Sequence, residues 1–394
     1  MRGFFAEQID AHRSRLDPLM LAIIAILVVT GLGMLWSASW FRAEQLYGEP
    51  LRFVMRHALW LLVGSVVGLM SALIPLHWLR RMLPLLLLAS IMLALLTFVP
   101  GVSARYMGAR RWIILFNVSF QPSELLKLVM IIYLAHILAR HQGDFSNPMS
   151  AILPPLTIVA IMATIVLLQN DFSTTVFLVT LALSMFFVAG VPLRYFLRVT
   201  ALVAPVGLIA LFTREHRVMR IIAFMNPEYD PTGSGYQILA ARRAQQQGGF
   251  WGVGIGRGTR KLGGLPEAQS DFLFAVLGEE LGLVGVVLIL GLFLLFAGRG
   301  LHLARRQEDW FRALLVFGMT VSIRLQALLN IAVVAGAVPA TGIPLPFFSA
   351  GGSSLLITFA MCGLLLNGAG TSPGERSRAG LNSMGTRLWE GPRG

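Results

Sequence analysis

Apolar stretches long enough to cross a bilayer recur near 18–37, 54–75, 82–99, 121–138, 151–168, 172–190, 196–213, 272–297, 312–334 and 345–367. A hydrocarbon core asks for roughly 20 apolar residues in helical form. Backbone groups in lipid must find partners within the segment, so each stretch predicts a helix. The alternating pattern of a transmembrane barrel is absent. The expected fold class is an all-α polytopic integral membrane protein of about ten transmembrane helices. Residues 1–17 read as a cytoplasmic segment, 18–367 as the transmembrane domain and 368–394 as a disordered cytoplasmic tail. The stretch 214–271 reads as one large extracytoplasmic loop between the seventh and eighth helices.

Composition agrees. Of 394 residues, 56% are hydrophobic and 13% charged, against roughly a quarter charged in soluble domains. The net charge of +13 rests on arginine, because Lys127 and Lys261 are the only lysines. On a membrane protein this balance points to anionic lipid surfaces and anionic substrates, not to nucleic acid. The single Cys362 excludes an intrachain disulfide and a cysteine metal site. Arg13 and Arg15 precede the first apolar stretch and no small-residue cleavage site follows it, which predicts a retained helix. With both termini cytoplasmic, sixteen arginines fall on the inner side and six in the short outer loops, as positive-inside topology requires.

The long loop breaks that bias, with Arg214, Arg217, Arg220, Arg242, Arg243, Arg257, Arg260 and Lys261 on the outer side. This is either a solvated face meeting headgroups or a site for an anionic group. Within it, 226–231 reads as turns and 235–247 as a short amphipathic helix lying on the membrane. A glycine-dense run from Gly248 to Gly264 then offers backbone N–H groups that can cradle phosphate. Asp271 follows, where the chain turns apolar again. It is either a helix cap or a general base.

Other polar positions interrupt the apolar phase. Glu124 and Lys127 share a helical face in Gln121-Pro122-Ser123-Glu124-Leu125-Leu126-Lys127, and a lysine at that depth predicts an inward-facing pair. Arg110, Arg111 and Trp112 are either an interfacial anchor or place Arg111 on a phosphate. Asp171 reads first as a cap. Gln326 and Asn330 predict hydrogen bonds between helices. Arg324 needs a partner, for which Glu279 or Glu280 is the expectation. Gly342 to Ser354, with two prolines and a glycine pair, predicts an irregular start to the last helix, which must line a cavity or be buried in protein.

Taken together, these stretches resemble the SEDS family of polytopic membrane proteins, which includes FtsW and RodA. The resemblance rests on Arg111-Trp112-Ile113, 121–127, Gly235-Tyr236-Gln237, 254–261, Leu265-Pro266-Glu267-Ala268 with Asp271-Phe272, Gly278-Glu279-Glu280-Leu281-Gly282 and 342–354. Pro266-Glu267-Ala268 and 278–282 are more similar to the FtsW branch, and 341–346 to the RodA branch. Gln269-Ser270 stands where the family often has His-Thr, Ala350 where it often has Tyr and Phe116 where Gly is usual. Asn170 and Ser173 replace a usual Pro and Gly.

The resemblance implies a SEDS-type fold and an inverting peptidoglycan glycosyltransferase. Its substrates would be lipid II and the growing glycan strand, at the outer face of the cytoplasmic (inner) membrane and at the division septum. It implies a class B penicillin-binding transpeptidase, other divisome proteins and membrane lipids as partners. Asp271 matches the family's essential acid, and the catalytic role is assigned to it on that basis. Arg111, Trp112, Glu124 and Lys127 match positions around the family's central cavity. Gln237, Arg260, Lys261, Glu267 and Ser353 lie in the matching stretches and complete the substrate-binding candidates. No metal-ligand cluster is evident, although a divalent cation, Mg or Mn, is a candidate to assist a diphosphate. The alternatives are a lipid II flippase and a RodA-type elongation polymerase.

Overall fold

The computed structural model describes residues 16–106, 109–115, 118–141, 145, 148–231, 233, 235–259 and 270–370. The termini and residues 260–269, which include Arg260, Lys261 and Glu267, lie outside them. Among the described residues twelve principal helices follow one another. They are α1 (Pro18–Tyr47), α2 (Arg52–Leu73), α3 (Leu76–Leu96), α4 (Pro122–His141), α5 (Leu153–Leu168), α6 (Phe172–Val188), α7 (Leu193–Phe212), α8 (Glu215–Met225), α9 (Tyr236–Gly248), α10 (Leu273–Arg305), α11 (Trp310–Val334) and α12 (Gly352–Ala369). Eight are long and apolar enough to cross a membrane, and α5 and α6 are shorter apolar helices of 16 and 17 residues. All ten coincide with the expected spans.

The chain departs from a purely helical reading between α3 and α4. There β1 (Ser103–Tyr106), β2 (Ala109–Leu115) and β3 (Val118–Phe120) form an antiparallel sheet in the order β1-β2-β3. Its register pairs Ala104 with Trp112 and Ile113 with Phe120. The strands are too short and polar-flanked to register as an apolar period, and local pairing satisfies backbone that the turns would leave bare.

The bundle is built around α4, whose side chains from Leu126 to Ala135 are buried on every face. By contrast, α2 buries a single stripe, His57, Leu61, Gly64, Gly68 and Ala72. That stripe meets α12 so closely that a side chain on Gly363 would overlap the Gly68 carbonyl. Lipid offers no hydrophobic drive between helices, so small residues that admit close backbone approach hold such pairs together. The remaining face of α2 exposes Leu59, Leu62, Val66, Leu69 and Met70.

At one end, ion pairs tie the helices: Asp17 with Arg299 at 2.5 Å, and Arg80 with Asp309 at 2.7 Å. At the other end lie the sheet, the 169–171 turn, α8, α9 and residues 335–351. Here α9 corrects one expectation. Its small face, Ala240, Ala241 and Ala244, is buried in the protein core with the first half of α10, not spread on a membrane surface.

That half-helix ends at Gly282, where φ is 65° and ψ is −165°. In an unbroken helix Leu283 and Val284 would donate to the carbonyls of Glu279 and Glu280. Instead those carbonyls accept from Val253 and Gly254, both at 3.0 Å. The N–H groups of Leu283 and Val284 donate to Gly249 and Phe250, at 3.0 and 3.3 Å. The strap 249–254 thus exchanges backbone hydrogen bonds with the break. Gly252 and Gly282 both have positive φ, and a side chain on either would strike the other segment's backbone.

Gly282→Ala should therefore cost about 2–4 kcal/mol through strained φ and overlap. Gly291→Ala, in open space on the same helix, should be neutral or stabilising by up to about 1 kcal/mol. Thermal unfolding of the detergent-solubilised protein separates the two, and equal effects would refute the role given to the break.

Candidate active site

Asp271 sits two residues before α10, half-buried. Its carbonyl accepts from Asn330 Nδ2 of α11 at 2.9 Å, and the same amide donates to the Ile343 carbonyl at 2.9 Å. One residue earlier, the Ser270 carbonyl accepts from the Ser349 hydroxyl at 2.7 Å, and that hydroxyl also accepts from the Leu345 N–H at 2.8 Å. Asn330 and Ser349 therefore fix the backbone on which the carboxylate is mounted, against the irregular segment before α12. The carboxylate faces Gly342, where a side chain would meet it at 3.5 Å.

Beside this clamp opens a cavity of about 260 Å³. Arg111, Asp171, His216, Arg217, Arg220 and Thr341 supply its polar wall. Val176, Phe177, Leu325 and Leu329 supply an apolar one. Asp171 caps α6 by accepting from the Thr174 N–H at 3.2 Å, as expected. It also meets Arg111 at 3.6 Å and accepts from Gln121 at 3.3 Å. Strand alternation explains the difference between Arg111 and Trp112. Arg111 shares a face of β2 with buried Ile113, whereas Trp112 shares the other with half-exposed Ile114 and does not line the cavity.

The expected inward-facing pair is present. Lys127 Nζ lies 2.8 Å from Glu124 Oε2 and donates to Gln326 Oε1 at 2.8 Å, with the Phe177 ring 5.3 Å away. Gln326 in turn donates to the Pro344 carbonyl at 3.0 Å and to Ser354 at 3.3 Å. Lys127 is 3% exposed. It joins α4, α6 and α11 and does not line the cavity. Ser353 is buried with its hydroxyl unpaired, and Gln237 is half-buried in the first turn of α9, away from the cavity.

Two expectations change. Among the described residues no ion pair joins Arg324 to Glu279 or Glu280. Glu279 accepts from the Thr259 N–H at 2.7 Å, and Glu280 accepts from Ser37 of α1. Over 249–254 the glycine run is also not a free phosphate nest. The N–H groups of Gly249, Gly252, Val253, Gly254, Arg257 and Thr259 all have acceptors within the protein. For a divalent cation, no three histidine, cysteine or carboxylate side chains converge among the described residues. Among the described residues the donor set does not fit a metal centre.

Sequence reading counted Arg217 and Arg220 only within the basic outer loop, as a headgroup-facing surface or an anion site, and gave His216 no role. Their signal was local: Arg217 and Arg220 are three apart, the spacing of one helical face, inside an 11-residue helix too short to register as a span. His216 is exposed on α8, and partial desolvation, followed by the nearby arginines, lowers its imidazole pKa from the ordinary value. Burial first, then Arg111, lowers Arg220, while Asp171 and Asp271 oppose the shift.

A family model described as "Cell cycle protein", covering FtsW, RodA and SpoVE, matches residues 17–372. The chain belongs to this family. It is 38% identical over 352 residues to the probable peptidoglycan glycosyltransferase FtsW of Geobacter sp. (strain M18), covering 89% of this chain and 96% of that one. To the protein of the same description in Borreliella burgdorferi it is 38% identical over 348 residues, covering 88% and 94%. Among solved structures, a chain from work on coordination of polymerization and crosslinking by a peptidoglycan synthase complex superposes with a TM-score of 0.73. It shares 27% identity, covering 90% of this chain and 97% of that chain. The rod shape determining protein RodA of Thermus thermophilus gives 0.65 at 27% identity, covering 90% and 96%.

Two outcomes follow from this geometry. Glu124→Leu should cost about 3–5 kcal/mol by leaving the Lys127 ammonium buried without its carboxylate, and Glu124→Leu with Lys127→Leu should recover much of that loss. Additive losses in thermal unfolding would contradict a coupled pair. For His216, a lowered folded pKa means the unfolded chain binds the extra proton first. Its contribution is complete above the ordinary histidine pKa and is lost as pH falls through the folded value. His216→Gln should flatten the acid side of the stability profile, and an unchanged profile would refute the assignment.

Proposed function

We propose that this chain is a peptidoglycan glycosyltransferase that joins lipid II units into glycan strands at the outer face of the cytoplasmic membrane during septal wall synthesis. The observation that supports the reading is the backbone clamp of Asn330 and Ser349, which fixes Asp271 against the 341–343 segment, whose Thr341 and Ile343 line an arginine-walled cavity. Family membership and the names of the FtsW relatives supply the chemistry.

Asp271 acts as the general base. Its carboxylate takes the proton from the acceptor sugar hydroxyl as that oxygen attacks the anomeric carbon of the growing strand. The bond to the polyprenyl diphosphate breaks on the opposite face, so configuration inverts and no glycosyl-enzyme forms. Negative charge grows on the departing diphosphate, and fixed cations in a water-poor site stabilise it more than solvent would. The clamp matters because a base misplaced by about 1 Å loses rate steeply. Arg260, Lys261 and Glu267 belong to the segment leading into Asp271 and are proposed as substrate contacts. Trp112, Glu124, Lys127, Gln237 and Ser353 are proposed as supports of the same site.

The partner is a class B penicillin-binding transpeptidase, in keeping with the synthase complex whose chain this fold matches. Other divisome proteins gather it at the septum, with both termini in the cytoplasm.

Asp271→Asn in the full chain, assayed with its transpeptidase and fluorescent lipid II, should lower strand synthesis by at least about 10²-fold. Its thermal unfolding should match the wild type. Wild-type strand yield from the variant would sink the base assignment. Transport of labelled lipid II across liposomes without any strands would favour a flippase.

A further inference from the structure

Three arginines and a histidine surround one wall of the cavity, and this is more positive charge than the wall neutralises. Asp171 is the only acid among the described lining residues. It is engaged as a helix cap and with Arg111 and Gln121. Arg217 is only 7% exposed. One of its terminal nitrogens donates to the Ala210 carbonyl at 2.5 Å and the other to Asn170 at 3.4 Å, while its Nε has no partner. Arg220, one turn further along α8, reaches the Ala340 carbonyl at 3.4 Å. Arg111 approaches from β2, and His216 adjoins Arg217. Grouped, part-buried cations repel one another, and burial without a matching anion is costly. Such a group persists where an anion completes it.

The same cavity has an apolar surface, formed by Val176 and Phe177 of α6 and by Leu325 and Leu329 of α11. A ligand that fits both walls carries concentrated negative charge at one end and hydrocarbon next to it. Arginine guanidinium groups favour phosphate oxygens, binding them in pairs. Lys127 does not compete for this role, because it is 3% exposed and both its acceptors belong to the protein.

We infer that Arg217 and Arg220, with Arg111 and His216, form a cradle for the diphosphate of a polyprenyl diphosphate, whose first prenyl units lie on the α6–α11 wall. The identity of the prenyl carrier rests on the glycosyltransferase reading above, whereas the anion cradle stands on the cavity alone. In the reaction this places the leaving group beside α8, on the Arg220 side of Asp271. A diphosphate beside His216 would oppose the arginines that lower the imidazole pKa.

The test uses the full chain in zwitterionic nanodiscs with farnesyl diphosphate as probe. Farnesyl monophosphate, farnesol and phosphatidylglycerol serve as comparators, and affinity is read by the ligand-induced shift in thermal unfolding. Wild type should bind the diphosphate in preference to the other three. Arg217→Gln and Arg220→Gln should each weaken it by about tenfold or more, the loss expected for a charge-assisted contact. Arg220→Lys should retain part of it, and Arg306→Gln, exposed at the opposite end, should not change it. Without ligand, Arg220→Gln should unfold no earlier than wild type, since it removes repulsion; a merely structural arginine would lower the midpoint.

Asp271→Asn should bind the probe as wild type does, so a failure of the polymerase assignment appears in strand synthesis and not here. Unchanged affinity in Arg217→Gln and Arg220→Gln would overturn the cradle. Phosphatidylglycerol binding as tightly as the diphosphate would assign the wall to bulk lipid and overturn it equally.

Discussion

The exchange of backbone hydrogen bonds between residues 249–254 and the break at Gly282 governs the geometry of the cavity end. An interrupted helix in hydrocarbon leaves amides and carbonyls that cost several kcal/mol each when bare. Here two donors and two acceptors on the strap meet two acceptors and two donors on α10, and every group is satisfied. The strap also carries Thr259 onto the Glu279 carboxylate, and the short half-helix beyond it begins two residues after Asp271. The candidate base is therefore mounted on an element whose far end is locked into the bundle.

Two polar systems share the bundle and stay distinct. The Lys127–Glu124–Gln326 group is closed on itself, each charge meeting a partner within the protein. In a medium that cannot solvate ions, such closure is what allows a lysine to remain inside. The cavity wall is the reverse case: its guanidinium groups line a space, and burial first, then neighbouring arginines, lowers the proton affinity of Arg217 and Arg220. Internal pairing favours a tether, and an uncompensated field favours a ligand.

The sequence shows the spans plainly, because twenty apolar residues have few other fates. The inward-facing Lys127 and the capping Asp171 were legible for the same reason: each was a costly group at a defined position. The sheet carrying Arg111 was not legible, since three- to seven-residue strands have no period to read. Nor was α8, whose arginines were counted as part of a basic loop. The glycine run misled in a specific way. Its density suggested groups held ready for phosphate, yet glycine there serves the close approach of two backbones. A sequence carries the need for small residues, but not what comes near them.

The seam between α2 and α12 has a consequence for biosynthesis. Asn367 of α12 reaches the Ser71 and Ile74 carbonyls at the end of α2 across nearly the whole transmembrane chain. During synthesis α2 must wait, its groove unfilled, until almost everything else has been made. In water such a delay would leave an apolar face open to aggregation. In a bilayer the face is already in its own solvent, so a seam between such distant parts of the chain carries little of the hazard that it would bring to a soluble protein.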